Sequence, residues 1–94
     1  MSLKKSQKDK WAKTRTEWIK RNPPNHQGHW YCVIGGKALD KYEMTLDHAI
    51  PRGRAPHLRH DLANLNPMCY FHNSDKGSKS LEEYRAKNPS KKCY

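Results

Sequence analysis

Ninety-four residues suffice for one domain, because independently folding units usually need about 50 residues or more. The 19 Lys and Arg outnumber the 9 Asp and Glu, and the resulting charge of +10 with a pI near 9.7 suits a chain that meets polyanions. Leu, Ile, Val and Phe number only 12 of 94 residues, about 13%, below the roughly 20% that a highly charged chain normally needs for a conventional core. A large core is therefore excluded, and a disulfide, a metal or a partner is needed to tie the chain together.

No apolar run reaches the roughly 18 residues of a membrane span, and the Met-Ser-Leu-Lys-Lys start lacks the apolar segment of a secretory signal. The expectation is a cytoplasmic monomer with no membrane partner. Three cysteines, Cys32, Cys69 and Cys93, cannot all pair within one chain. In a reducing compartment, widely spaced cysteines more often bind metal than form a disulfide.

Residues 1–25 carry eight basic and two acidic side chains, so most of the excess charge sits at one end. Trp11, Ala12, Trp18 and Ile19 fall on one helical stripe, which predicts a basic helical arm from about Gln7 to Arg21, ended by Asn22-Pro23-Pro24. His29 to Leu39 is aromatic and β-branched around Gly35-Gly36, the pattern of a short strand and a knuckle-like turn. Tyr42, Met44, Leu46, His48 and Ile50 alternate, which predicts a strand. Residues 51–63 lack periodicity and form a long loop with Arg52, Arg54, His57, Arg59 and His60. A returning strand is expected over Asn64 to Met68 and a helix from Tyr70 to a stop at Gly77. The Ser80-Leu-Glu-Glu83 capping box opens a last helix through about Ala86. Residues 88–94 are expected to be a frayed basic tail.

Leu46-Asp47-His48-Ala49-Ile50-Pro51-Arg52 is followed by Asp61-Leu62-Ala63-Asn64-Leu65. Then comes Met68-Cys69-Tyr70-Phe71-His72-Asn73-Ser74-Asp75-Lys76-Gly77. A strand-borne Asp-His, a loop, an Asn-Leu and a Cys-x-x-His-Asn with Lys-Gly close behind resemble the signature of HNH endonucleases, over about half the chain. The resemblance implies a nuclease domain over residues 26–87 with an α+β fold. Its centre would be a small ββα-metal (His-Me finger) core, flanked by the N-terminal helix and the C-terminal one.

It also implies roles. His48 would be the general base, for which an imidazole with an ordinary pKa near 6.5 is suited. Asp47 and Asn73 would hold one divalent ion, and Asn64 would help fix the histidine. A carboxylate and an amide oxygen suit a hard ion, Mg²⁺ or Mn²⁺. Asp47 and His48 are neighbours on a strand, so they share a side only if twist or a bulge re-aims one of them. The products would carry 3′-hydroxyl and 5′-phosphate ends. Arg52, Arg54, Arg59 and Lys76 would contact DNA phosphates, and with no module to read base edges, sequence preference should be weak. Compact members of this family are common in phages, so packaging or recombination proteins are the expected partners and the host cytoplasm the expected location.

Related nucleases often bind a structural zinc through two Cys-x-x-Cys pairs. Here the partner of Cys32 would be position 35, which is Gly35, while Cys69 and His72 form a Cys-x-x-His pair. His29, three before Cys32, is the favoured fourth ligand, with His26 or Cys93 as substitutes and loss of zinc as a further alternative. Zinc binding contributes on the order of 10 kcal/mol to folding in small metal-tied domains, which a chain so poor in aliphatic residues needs. Two rivals stay open. One is a zinc-stapled DNA-binding module without catalysis, which the missing Cys at Gly35 favours; the other is a disordered basic RNA-binding segment, which composition alone favours.

Overall fold

The computed structural model describes residues 2–87 together with 92 and 93, and side chains from Lys10 onward. It is a small mixed α/β structure whose described residues form three helices and two two-stranded antiparallel sheets. Helix α1 spans Ser2–Arg21, β1 Trp30–Tyr31, β2 Ala38–Leu39 and β3 Thr45–His48. Strand β4 is Leu65–Met68, α2 is Tyr70–Lys76 and α3 is Leu81–Lys87. No helix among the described residues is long and apolar enough to cross a membrane.

Helix α1 ends where expected. The Asn22 backbone N–H and side-chain amide both donate to the Trp18 carbonyl, and two prolines follow. Of the expected stripe, Trp11, Trp18 and Ile19 pack on the core and Ala12 does not. Ala12 is exposed, whereas Thr14 is buried and Trp11 partly so, with Trp18 only 4% exposed. Positions 11, 14 and 18 are the i, i+3, i+7 set of one helix face. Arg15 reaches over the same side to donate to the Lys41 carbonyl at 3.1 Å.

Strands β1 and β2 pair Trp30 with Leu39. Between them the chain turns through residues 33–35, with the Gly36 N–H donating to the Cys32 carbonyl at 2.8 Å and Gly36 at φ 75°, a left-handed conformation that favours glycine. This is the knuckle-like turn expected from Gly35-Gly36. The second sheet pairs β3 with β4 in the register Thr45 to Met68 and His48 to Leu65. Pro67 lies opposite Leu46 and its carbonyl accepts from the Val33 N–H at 3.0 Å, so one hydrogen bond joins the two hairpins.

Strand β3 is shorter than the alternation implied. Tyr42 is exposed in a turn and Ile50 is exposed beyond the strand. Met44 and Leu46 are buried, as expected, but so is Asp47 on the opposite side of the pleat, because α2 packs across that face. The loop after β3 contains two 3₁₀ turns, Pro56–Leu58 and Leu62–Asn64. Helix α2 ends at Lys76 with Gly77 at φ 55°. The capping box is formed: Ser80 N–H donates to Glu83 at 2.9 Å, and Glu83 N–H donates to the Ser80 hydroxyl at 3.1 Å. The expectation of a frayed tail over 88–94 falls largely outside the described residues, and Cys93, which is described, is half-buried at a cluster described below.

The core consists of Trp18, Trp30, Cys32, Leu39, Met44, Leu46, Leu65, Met68 and Cys69. Tryptophan, methionine and cysteine take the places that branched aliphatics fill elsewhere, and each tryptophan buries about 150–250 Å². Trp18→Ala is expected to destabilise the fold by about 3–5 kcal/mol, read as a lowered urea midpoint, while Ala12→Ser on the exposed side should shift it by less than about 0.5 kcal/mol.

Candidate functional site: a Cys/His cluster and an Asp-His-Asn cleft

Four ligand atoms from Cys32, Cys69, His72 and Cys93 lie within 4.8 Å of one another, and the cluster can bind a zinc ion. Its geometry is set by local structure. Cys32 opens the knuckle turn, and Cys69 caps α2 so that its sulfur accepts from the His72 N–H. Helical spacing then swings the His72 ring back over the cap. His72 Nδ1 lies 3.6 Å from Cys32 Sγ, 3.3 Å from Cys69 Sγ and 3.6 Å from Cys93 Sγ. Zinc at about 2.3 Å from sulfur and about 2.0 Å from nitrogen places the ligand atoms of a tetrahedron roughly 3.5 Å apart, so the donor set fits that ion. His72 Nε2 is buried without a hydrogen-bond partner, and the ring is held edge-on by Phe71 and Tyr84.

The fourth member is Cys93, where the sequence favoured His29. The reason is the backbone. Residues 30–31 between His29 and Cys32 are extended, and a strand rises about 3.3 Å per residue, so His29 is carried away from the cysteine. The turn that would fold i onto i+3 lies after Cys32, at Gly35, which has no side chain to contribute. The backbone of His29 closes a different turn, exchanging hydrogen bonds with Asn25. Burial by itself pushes the Cys32 thiol up, but backbone hydrogen bonds from Gly35, Cys69 and Ile34 bring it down to about 6. Burial and the neighbouring Cys93 and Cys32 sulfurs push Cys69 up to about 11. A dication among the sulfurs would stabilise both thiolates and release protons as it bound.

A cleft of about 560 Å³ is lined by Asp47, His48, Asn73 and Lys76, with Trp11 and Arg52 also among its lining residues. The structure thus brings Asp47, His48 and Asn73 to one cavity. His48 is the last residue of β3, and there its ring turns toward the following loop: Nε2 donates to the Arg59 carbonyl at 2.9 Å. That bond assigns the proton to Nε2 and leaves Nδ1 as the basic nitrogen. Trp11 stacks on the imidazole with ring centroids 5.4 Å apart. Burial lowers the pKa of His48 below 6.5, and the charges of Arg52, Lys76 and Arg59 add to that against the raising effect of the Arg59 carbonyl.

Asp47 is 5% exposed. Its Oδ1 lies 3.2 Å from Lys76 Nζ, and its Oδ2 is buried without a hydrogen-bond partner. Burial raises its pKa, and the Lys76 ammonium opposes that rise. Asn73 donates through Nδ2 to the Thr45 hydroxyl at 2.8 Å, and that hydroxyl donates to the Met68 carbonyl. The amide is thereby oriented, with its oxygen left as a donor atom for a ligand. An orphaned carboxylate oxygen and an oriented amide oxygen on one cavity fit a hard divalent ion.

Two expected site residues lie elsewhere in role. Lys76 is 1% exposed and paired with Asp47, so it does not reach a DNA backbone; Asn73 and Lys76 are three apart on α2 and face β3 together. Asn64 touches the backbone of Ile50 through both ends of its amide, accepting at 2.9 Å and donating at 3.1 Å, so it shapes the chain just after His48 and leaves the ring to Arg59. Among the expected DNA contacts, Arg52 is exposed at the cleft, Arg54 pairs with Glu83 at 2.7 Å on the surface, and Arg59 is partly buried. Trp11, Thr45 and the Arg59 carbonyl are site groups that sequence reasoning missed. Only Trp11 left a trace, as a member of the helical stripe.

No protein-family model matches the chain, and neither a curated protein nor a solved structure does. The structure is that of a small α/β protein in which one short helix contributes both to a Cys₃His metal-ligand cluster, through His72, and to an Asp-His-Asn cleft, through Asn73. Loss of a hydrogen bond to a ligand typically costs 10–100-fold in metal affinity, so removal of a ligand itself should cost more. Cys93→Ala is expected to lower zinc affinity by more than about 100-fold, measured by competition with a chromogenic chelator, and to lower the melting temperature. His29→Ala should leave both unchanged.

Proposed function

We propose that the protein is a metal-dependent HNH-type endonuclease that hydrolyses DNA phosphodiester bonds, with His48 as general base and one Mg²⁺ or Mn²⁺ held by Asp47 and Asn73. In this reading β3, β4 and α2 constitute the ββα-metal core, and the Cys₃His cluster is its structural zinc site. The observation that carries it is the single cleft shared by Asp47, His48 and Asn73.

His48 suits the base. Its Nε2 is engaged by the Arg59 carbonyl and its pKa lies below 6.5, so at neutral pH Nδ1 carries a lone pair. It takes a proton from a water as the water oxygen bonds to phosphorus, and the bond to the 3′ oxygen breaks; that oxygen takes a proton from solvent, leaving a 3′-hydroxyl and a 5′-phosphate. The divalent ion, when bound, supplies charge stabilisation to the phosphate and the departing oxygen. Arg52, which lines the cleft, binds a flanking phosphate. Arg54 can exchange its exposed Glu83 partner for another, since surface ion pairs contribute little. With contacts confined to phosphates, cleavage is weakly sequence-specific. A phage setting, with packaging or recombination proteins nearby, belongs to the same proposal.

One observation favours the rival, a DNA-binding module without catalysis: an ammonium already occupies one oxygen of Asp47. Supercoiled plasmid separates the two. His48→Ala should lose nicking by about 10²- to 10⁴-fold in Mg²⁺ or Mn²⁺ with DNA binding retained; equal nicking by both proteins, or none by wild type, rejects the nuclease. Activity requires neutral His48, so it should fall as pH drops through that group's pKa, with the acid limb of kcat/KM below pH 6.5. A limb above that value would assign the base elsewhere.

A further inference from the structure

Lys76 is the most deeply buried cation among the described residues, at 1% exposed. Its ammonium has two partners: Asp47 Oδ1 at 3.2 Å and the His48 carbonyl at 3.0 Å. Burying two opposite charges is rarely a gain in stability, since an apolar pair of similar volume usually serves as well or better. The pair therefore calls for another explanation, and its asymmetry offers one. Of the two Asp47 oxygens, Lys76 takes one, while the other is buried and unpartnered, and Asp47 lines the same cleft as Asn73.

Resting on the nuclease reading above, we propose that Lys76 is the positioning residue of the cation site: it restricts Asp47 to donation through Oδ2 and makes the site electrically neutral before any ion arrives. Two consequences follow from Coulomb's law. A carboxylate held by an ammonium attracts a divalent ion far less than a bare carboxylate does, because the ion meets a fixed positive charge a few ångströms behind the ligand. The free protein therefore binds Mg²⁺ or Mn²⁺ weakly. A DNA phosphate brings the missing negative charge, so ion and substrate each strengthen the other's binding by the same factor. The ammonium also ties the backbone of the proposed base to the side chain of the proposed ligand, since one Nζ bridges residues 47 and 48.

The test is Mn²⁺ titrated into the folded protein without DNA, with free Mn²⁺ read by electron paramagnetic resonance and Asp47→Asn as the reference for binding in the cleft. Lys76→Met and Lys76→Gln remove the charge and Lys76→Arg keeps it; circular dichroism identifies the variants that fold, and either neutral variant suffices. The expected result is Asp47-dependent Mn²⁺ affinity at least about tenfold tighter in the neutral variants, with Lys76→Arg within about threefold of wild type. A residue that only packed would leave the affinity unchanged or lower it. Neutral variants that fold but bind Mn²⁺ no tighter than a wild type with Asp47-dependent binding would overturn the role of Lys76 and leave the nuclease reading standing. Absence of Asp47-dependent binding in every protein would overturn both.

Discussion

The structure depends on the convergence of four metal-ligand atoms at one point. Cys32 comes from a tight turn in the first hairpin, Cys69 and His72 from the first turn of α2, and Cys93 from beyond α3. A chain with so few branched aliphatic side chains has little hydrophobic driving force to hold these segments together. Core residues Trp18, Trp30 and Met68 pack beside the same sulfurs, so apolar burial and the ligand cluster act on the same elements.

The convergence also sets the second site. Cys69 fixes where α2 begins and His72 fixes its rotation, because a fully buried ring at that position leaves the helix one orientation. Positions 73 and 76 then face β3, and the amide of Asn73 and the ammonium of Lys76 arrive beside Asp47. From the other direction, α1 lays Trp11 on the imidazole of His48, and Thr14 meets His60 in the loop that carries Arg59. The N-terminal helix is thus in direct contact with the residues that border the cleft.

Charge is distributed unevenly around these contacts. The interior of the site is balanced, with one buried carboxylate against one buried ammonium. Positive charge beside it comes from Arg52, which lines the cleft, and from Arg59, which acts on His48. A balanced ion pair in a cleft that Arg52 also lines is an arrangement in which a polyanion supplies negative charge that the site lacks.

Much of this was legible in the residues themselves. Asn22-Pro23-Pro24 ends a helix because proline forbids its continuation, Ser80 and Glu83 cap one because their side chains satisfy its free N–H groups, and Gly36 and Gly77 mark turns with positive φ. These are local effects, carried by residues a few positions apart. The order Asp-His, Asn, Cys-x-x-His-Asn likewise pointed to Asp47, His48 and Asn73, which line the cleft, and to Cys69 and His72 of the ligand cluster, while Asn64 works through the backbone of Ile50.

What only the tertiary structure decided are the pairings between distant segments. Composition could not show that Cys93, 21 positions beyond His72, reaches the cluster in place of His29. Nor could it show that a lysine expected on the surface is buried against Asp47, or that a backbone carbonyl of the loop chooses the tautomer of His48. Local propensity depends on the chemistry of neighbours in sequence, which the chain states outright. Ligation, ion pairing and ring orientation depend on where separate segments come to rest, and that is settled by packing the whole chain at once.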